Sequence, residues 1–233
     1  MLPIAIIQCR LGSSRLPGKG ALDLLGQPLL VRVIERCRMA RHLSDVVVAT
    51  SDLEQDDIIA SIAERAGAPV YRGSLTDARD RLLNCAQSLG AEAFIRVTAD
   101  NPFVEPTLMD LMVAAKEASP DCPYVVHDLG RTVYGVASEL VDTHVLAARL
   151  EDLPQDGREH VTTGLRQLAG ALCLEPPSAF AAPDLSLTVD TLEQYFNVWL
   201  LMCHFGNGPD ALPQIVAAFQ SGDNPALTFE RRR

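Results

Sequence analysis

Gln8-Cys9-Arg10-Leu11-Gly12-Ser13-Ser14-Arg15-Leu16-Pro17-Gly18-Lys19 follows the apolar run Leu2–Ile7 and precedes the amphipathic stretch Leu29–Arg38. An apolar run, a glycine-punctuated loop and an amphipathic stretch, in that order, read as a first parallel strand, a loop and a first helix. The loop carries the cations Arg10, Arg15 and Lys19, the hydroxyls Ser13 and Ser14, and the glycines Gly12 and Gly18. Glycine lets backbone approach a ligand closely, and cations beside free amides neutralise an anion. In open α/β sheets ligands sit at the carboxyl ends of strands, where this loop falls, so the stretch reads as a triphosphate cradle.

The spacing is neither G-x-x-x-x-G-K-[ST] nor G-x-G-x-x-G. The competing reading is an ordinary basic surface loop paired with the acidic remainder of a chain of net charge −10. A pI near 4.9 argues against a nucleic-acid partner, and positive charge gathered in one loop suggests a small anionic ligand instead.

At 233 residues, 48% of them hydrophobic, the chain suits a single α/β domain with a full core. Cys9, Cys37, Cys85, Cys122, Cys173 and Cys203 are scattered with no C-x-x-C pair, which points to a reducing, cytoplasmic setting rather than a zinc site or a disulfide framework. Cys9 beside the loop reads as small-residue packing rather than a nucleophile. The sequence shows no secretion signal and no apolar run near the ~20 residues of a membrane span.

Strand and helix alternate: strand 2–8, helix 28–40, strand 45–50, helix 54–67, strand 69–71, helix 77–89, strand 93–98, helix 105–118. Asp52 is the expected N-cap of the second helix. The alternation predicts a mainly parallel sheet with helices on both faces. After Pro120 the rhythm changes. Residues 123–141 read as extended, 142–153 and 158–169 as short helices, and 171–175 and 184–189 as strands. A helix follows at 191–204, then a loop at 206–213, and Arg231–Arg233 form a frayed tail. One domain therefore divides into a nucleotide-binding half (1–119), an insertion (120–180) and a C-terminal part (181–233). Apolar Tyr124-Val125-Val126 and Leu140–Val145 read as extended edges needing cover, which suggests a homodimer through the insertion.

Asp100 follows the apolar strand Ala93–Val97, and Asp190 follows Leu185–Val189. Two strand-end carboxylates suit a divalent cation such as Mg²⁺, which takes one or two carboxylates plus phosphates. Each also suits a helix N-cap, and the two roles are compatible. Lys19 and Arg15 would hold a triphosphate with Arg10 nearer the reacting phosphoryl, so Arg10, Lys19 and Asp100 are the candidate catalytic residues. Asp77 and Arg81 read as an i,i+4 charge pair on a solvated helix. No residue stands out as a general base.

Arg10, Ser13, Arg15, Pro17 and Lys19 reproduce R-x-x-S-x-R-x-P-x-K, and the chain thereby resembles the cytidylyltransferases that activate sugar acids as CMP derivatives, closest to their spore-coat-polysaccharide branch. The resemblance continues through Ala49-Thr50-Ser51, Tyr71-Arg72-Gly73-Ser74, Arg96-Val97-Thr98-Ala99-Asp100-Asn101-Pro102, Arg158-Glu159-His160-Val161-Thr162 and Leu187-Thr188-Val189-Asp190-Thr191. It implies a Rossmann-like three-layer α/β/α nucleotide-diphospho-sugar transferase fold of GT-A type and a dimer built by the insertion. It also implies CMP transfer from CTP to a sugar or sugar-acid acceptor with release of pyrophosphate. The nucleotide-binding set would be Gln8, Arg10, Leu11, Gly12, Ser13, Ser14, Arg15, Lys19, Arg72, Gly73, Asp77, Arg81, Thr98, Ala99 and Asp100. Asp100 and Asp190 would hold Mg²⁺. Glu139, in a G-x-x-x-E pattern from Gly135, would line the acceptor pocket with Arg158, Glu159 and His160, Arg158 clamping a carboxylate and His160 equally suited to a structural role.

Three departures touch the acceptor side: Asn101 before the proline, Thr163-Gly164 after the Arg-Glu-His-Val-Thr run, and the lack of Pro-Asp before Gly135. Competing functions are a sugar-1-phosphate nucleotidylyltransferase, whose G-x-G-x-R loop is missing, and a glycosyltransferase, whose D-x-D is missing at the strand end. A non-catalytic nucleotide-binding module is a third, but Arg10, Lys19 and Asp100 are all retained.

Overall fold

β1 (Ile4–Gln8) lies in the interior of a seven-stranded sheet of order β3-β2-β1-β4-β6-β5-β7, formed with β2 (Val46–Ser51), β3 (Val70–Gly73), β4 (Ala93–Thr98), β5 (Tyr124–His127), β6 (Glu139–Asp142) and β7 (Leu172–Leu174). The computed structural model describes residues 2–149, 161, 162, 164–222 and 232. The sheet is parallel except at β6, which runs antiparallel to both β4 and β5.

Successive residues of the strands feed opposite faces. Ala5, Ile7, Val46, Val48, Ile95 and Val97 pack under α1 (Leu29–Cys37), α2 (Asp57–Arg65), α4 (Pro106–Ala118), α6 (Leu192–Phe205) and α7 (Ala211–Ser221). Ile4, Ile6, Val47, Ala49 and Phe94 pack under α3 (Ala78–Ser88) and α5 (Thr143–Arg149). Apolar runs buried on both faces produce this three-layer arrangement. The chain moves from β1 outward to β3 and then returns to β4 on the other side of β1, so the topological switch lies between β1 and β4. Gln8 and Thr98 are register partners there, and their two following loops open into one cleft.

α1 shows how local chemistry fixes an element. Leu29, Leu30, Val33, Ile34 and Cys37 form its buried stripe, but Arg36 is buried as well. Its Nε donates to Val104 O at 2.9 Å, Nη1 to Gly208 O at 2.7 Å, and Nη2 to Glu105 Oε2 at 2.6 Å. Burial lowers the Arg36 pKa, and the Glu105 charge opposes that shift. Glu105 also caps α4, accepting from Thr107 N at 3.0 Å. A single ion pair thus ties α1, α4 and the loop before α7.

Several expectations need correction. Asp52 caps nothing: the second helix opens with a 3₁₀ turn, Glu54–Asp56, which follows Leu53. Within 123–141 the extended segments are β5 and the start of β6, and residues 128–138 form the loop between them. The stretch 164–169 holds only the 3₁₀ turn Leu165–Gln167, with left-handed Gly164 before it; 158–160 and the end of the 142–153 helix lie outside the described residues. Residues 184–189 form no strand of the sheet: Asp184 lies in a turn, Tyr134 bridges Ser186, and Leu187 N donates to Tyr134 O at 2.8 Å. Residues 211–213 belong to α7. Arg232 docks, its backbone N–H on Asp184 O at 2.7 Å and its guanidinium over the Tyr134 ring; Arg231 and Arg233 are not described.

The supposed apolar edges are interior. Tyr124, Val125, Leu140 and Val141 are fully buried between β4 and β7, which removes the argument that they need a second copy to cover them. The exposed apolar row lies on α6 instead, at Leu192, Phe196 and Leu200.

Glu105→Ala leaves Arg36 charged and unpaired in the core, a loss of about 3–5 kcal/mol. Urea unfolding should show a much lower midpoint for Glu105→Ala than for Glu105→Gln, which keeps an acceptor; equal midpoints would rule out the ion pair as the link.

Candidate active site

The loop after β1 is held by its own backbone and by one buried carboxylate. Leu11 N donates to Asp56 Oδ1 at 2.6 Å, and Ser51 Oγ donates to Asp56 Oδ2. Gly18 N donates to Leu11 O at 2.8 Å, and Gly18 takes φ 73°, a left-handed conformation suited to glycine. Gly20 leaves room for Cys9: a Cβ there would lie 2.7 Å from Cys9 Sγ. Burial, with Asp56 and Asp100 nearby, pushes the Cys9 thiol up to about 12 against the pull of Lys19, so it packs and does not attack.

Lys19 is the meeting point. Its ammonium donates to Asp100 Oδ2 at 2.7 Å and to Asp190 Oδ1 at 2.8 Å. Burial alone would depress its pKa, but the two carboxylates outweigh burial and hold it above the ordinary lysine value. Arg15 adds a 2.9 Å contact to Asp190 Oδ2 from a mostly exposed position. Neither aspartate serves as a cap: Glu105 caps α4, and Thr191 forms a capping box with Gln194 on α6. Gln194 Oε1 accepts from Asp190 N at 2.7 Å, and Val189 N donates to Asp100 O at 2.8 Å, so the two carboxylate-bearing segments are bonded to each other. Gly135 lets the β5–β6 loop lie against the segment that carries Asp190: a Cβ at its φ of 90° would stand 2.6 Å from Thr188 N.

Two carboxylates that converge on one cation are the donor set a magnesium ion needs from protein. Asp100 and Asp190 fit it. No group of three or more His, Cys, Asp or Glu side chains suited to a metal occurs among the described residues.

Gln8, Arg10, Gly12, Ser13, Ser14, Arg15, Lys19, Arg81, Thr98, Ala99, Asp100, Glu139 and Asp190 all border a cleft of about 700 Å³. Leu11, Arg72, Gly73 and Asp77 do not line it. Arg72 spans to Ser51 O (2.9 Å), Leu53 O (2.7 Å) and Asp57, bracing the end of β2. Gly73 O accepts from Asp52 N, and Asp77 caps α3 by accepting from Asp80 N at 3.0 Å. Arg81 is buried, not part of a solvated charge lattice. Its Nη1 donates to Ser74 O at 2.5 Å, and its Nε is buried without an acceptor. Arg10 Nη1 donates to Leu75 O at 3.0 Å. Arg158, Glu159 and His160 lie outside the described residues.

Sequence reading assigned no role to Arg96 and missed Arg166, and both line the cleft beside Glu139. Arg96 sat within a quoted motif and was open to discovery; Arg166 is an isolated arginine in a turn, with no local pattern to mark it. Glu139 is buried, and burial would raise its pKa. The charge of Arg96 and the bonds from Tyr124 and Arg166 prevail and lower it to about 2.

A three-layer α/β sheet with a cationic loop and paired carboxylates at its switch point defines a nucleotide-handling enzyme. Residues 4–173 match the cytidylyltransferase family. The chain is 35% identical over 215 residues to the spore coat polysaccharide biosynthesis protein SpsF of Bacillus subtilis, covering 88% of both chains. It is also 35% identical over 156 residues to the 3-deoxy-manno-octulosonate cytidylyltransferase of Chlorobaculum tepidum, covering 65% of this chain and 60% of that one. A solved cytidylyltransferase from Leptospira borgpetersenii superposes with a TM-score of 0.84 at 26% identity over 95% of this chain and 96% of that chain. The chain belongs to the cytidylyltransferase family and is a nucleotidyltransferase.

The depressed Glu139 pKa sets a pH dependence. A carboxyl that titrates at 4.5 unfolded and at about 2 folded adds stability above 4.5, lost as pH falls toward 2. The stability gap between wild type and Glu139→Gln should therefore be full at neutral pH and narrow across that window. A gap independent of pH would contradict the ionised network.

Proposed function

We propose that this cytidylyltransferase transfers CMP from CTP to a sugar acid or related sugar and releases pyrophosphate, in the cytoplasm, as a step in surface polysaccharide or glycoconjugate synthesis. The observation that carries the reading is the convergence of Lys19, Asp100 and Asp190 beneath the loop of residues 8–19. Similarity to a polysaccharide biosynthesis protein and to a 3-deoxy-manno-octulosonate cytidylyltransferase supports the acceptor class. The described cysteines are all free, in keeping with a reducing compartment, and no described helix is long and apolar enough to cross a membrane.

In this reaction an acceptor oxygen forms a bond to the α-phosphorus while the α–β bridging bond breaks, and the electron pair leaves with pyrophosphate. Arg10, Arg15 and Lys19 bind the triphosphate and offset the charge that gathers on the leaving group. Asp100 and Asp190 would hold Mg²⁺, which supplies charge neutralisation and orientation at the reacting phosphate. The buried, unpaired Arg81 Nε, together with Ala78 on the cleft wall, suits the base end, where cytosine offers carbonyl and ring-nitrogen acceptors.

Two outcomes follow. CTP with Mg²⁺ should raise the melting temperature more than ATP, GTP or UTP; equal or greater stabilisation by ATP would reject cytidine selectivity. Asp100→Asn and Asp190→Asn should each lower turnover about a hundredfold or more, roughly 3 kcal/mol, with CTP still bound through Arg15 and Lys19. The double variant should cost much less than the two losses combined, as for groups that serve one function. Simple additivity of the two losses would refute the shared site.

A further inference from the structure

Asp100 and Asp190 are already bridged by a cation that belongs to the chain. Lys19 Nζ donates to Asp100 Oδ2 at 2.7 Å and to Asp190 Oδ1 at 2.8 Å, and Arg15 Nη2 meets Asp190 Oδ2 at 2.9 Å. The Lys19, Asp100 and Asp190 side chains are 15%, 24% and 17% exposed, so the contact lies within the cleft wall rather than on its rim. A magnesium ion drawn to both carboxylates would have to share this notch with the ammonium, and like charges that close repel strongly where water is scarce. The notch takes one cation at a time.

Its shape does not depend on which cation fills it. Val189 N donates to Asp100 O at 2.8 Å, and Gln194 Oε1 accepts from Asp190 N at 2.7 Å, so these bonds keep the two aspartates adjacent when the ammonium leaves. The ammonium itself sits at the end of a flexible four-carbon stem and can swing. What it lacks is a destination. Among the described residues the acids lining the cleft are Asp100, Asp190 and Glu139. Glu139 already accepts from Arg96 Nη1 at 2.5 Å, Arg166 Nη2 at 2.7 Å and Tyr124 OH at 2.5 Å. Only an anion brought from outside offers the ammonium an equal partner, and Lys19 belongs to the loop suited to a triphosphate.

We propose that Lys19 is a gate on the metal site: in the empty enzyme it stands in for the divalent cation on Asp100 and Asp190, and it yields them only when a triphosphate takes its ammonium. Divalent cation alone is kept out, and cation and triphosphate enter as a linked pair. The gate rests on the reading of Asp100 and Asp190 as metal ligands and adds the condition under which they accept the metal.

The test follows Mn²⁺ binding to the full chain through the EPR signal of the free ion, first without nucleotide. Lys19→Met should bind Mn²⁺ about tenfold more tightly than wild type, within the usual range for coupling between two bound groups. Arg15→Met removes a charge from the same Asp190, but from a side chain 64% exposed. It should change the affinity less than about threefold, in keeping with a solvent-screened contact. With saturating CTP the wild type should gain more Mn²⁺ affinity than Lys19→Met by that same factor of about ten, because linkage is reciprocal and chelation by the nucleotide is common to both. Lys19→Gln keeps a donor for the carboxylates without the charge and repeats the comparison where Lys19→Met does not fold. Equal Mn²⁺ affinity in wild type and the Lys19 variants, an equal gain in Arg15→Met, or a CTP effect of one size in wild type and Lys19→Met would each overturn the gate. Asp190→Asn then separates the two readings. If it weakens Mn²⁺ binding to the CTP complex, the metal ligands stand and only the gate falls; if that affinity is unchanged, the metal reading falls with it.

Discussion

One ammonium group gathers three distant parts of this chain. Lys19 comes from the loop after β1, Asp100 from the end of β4, and Asp190 from the segment ahead of α6, and both carboxylates meet its Nζ within 2.8 Å. Two carboxylates this close would repel each other without a cation between them. The bond from Val189 N to Asp100 O makes the approach a backbone feature as well as an electrostatic one. The geometry of the cleft depends on that junction: the loop above it, the arginines to one side and the buried end near Arg81 all take their places from the strands that meet there.

Rigidity around the junction is distributed unevenly. Asp56 fixes the start of the loop through a backbone amide and a hydroxyl, and Gly18 closes it back onto Leu11. Ser13, Ser14 and Arg15 lie between these anchors, and the Arg15 side chain is more exposed than those of Lys19, Arg96 and Arg166. The crown is tied more lightly, by Ser13 N on Leu11 O at 3.0 Å and by the Arg15–Asp190 ion pair.

Much of this was legible in the sequence, because the first half obeys local rules. Apolar runs of strand length, separated by amphipathic helices, encode the parallel sheet, and the loop of residues 8–19 carries its own chemistry in its composition. Where the reading failed, the cause was not local. Pro213 suggested a loop, yet proline is tolerated in the first turn of a helix, and α7 begins at Ala211. Leu185, Leu187 and Val189 alternate like a strand, but their partner is Tyr134 in a loop that only Gly135 allows so close. Asp100 and Asp190 were visible as strand-end carboxylates, while Arg166 acquires meaning only from Glu139, which no sequence spacing connects to it.

The order of the chain also bears on how it comes into being. Everything needed for the loop and the first carboxylate has been synthesised once the chain reaches Asp100, just past β4, and the sheet from β3 to β4 uses only residues made by then. The second carboxylate arrives far later, after the insertion has supplied Tyr134 as its docking strip. A nascent chain emerging from the ribosome in sequence thus carries the cationic loop and Asp100 well before Asp190 has been made. Translation itself withholds the completed site until Asp190 has left the exit tunnel.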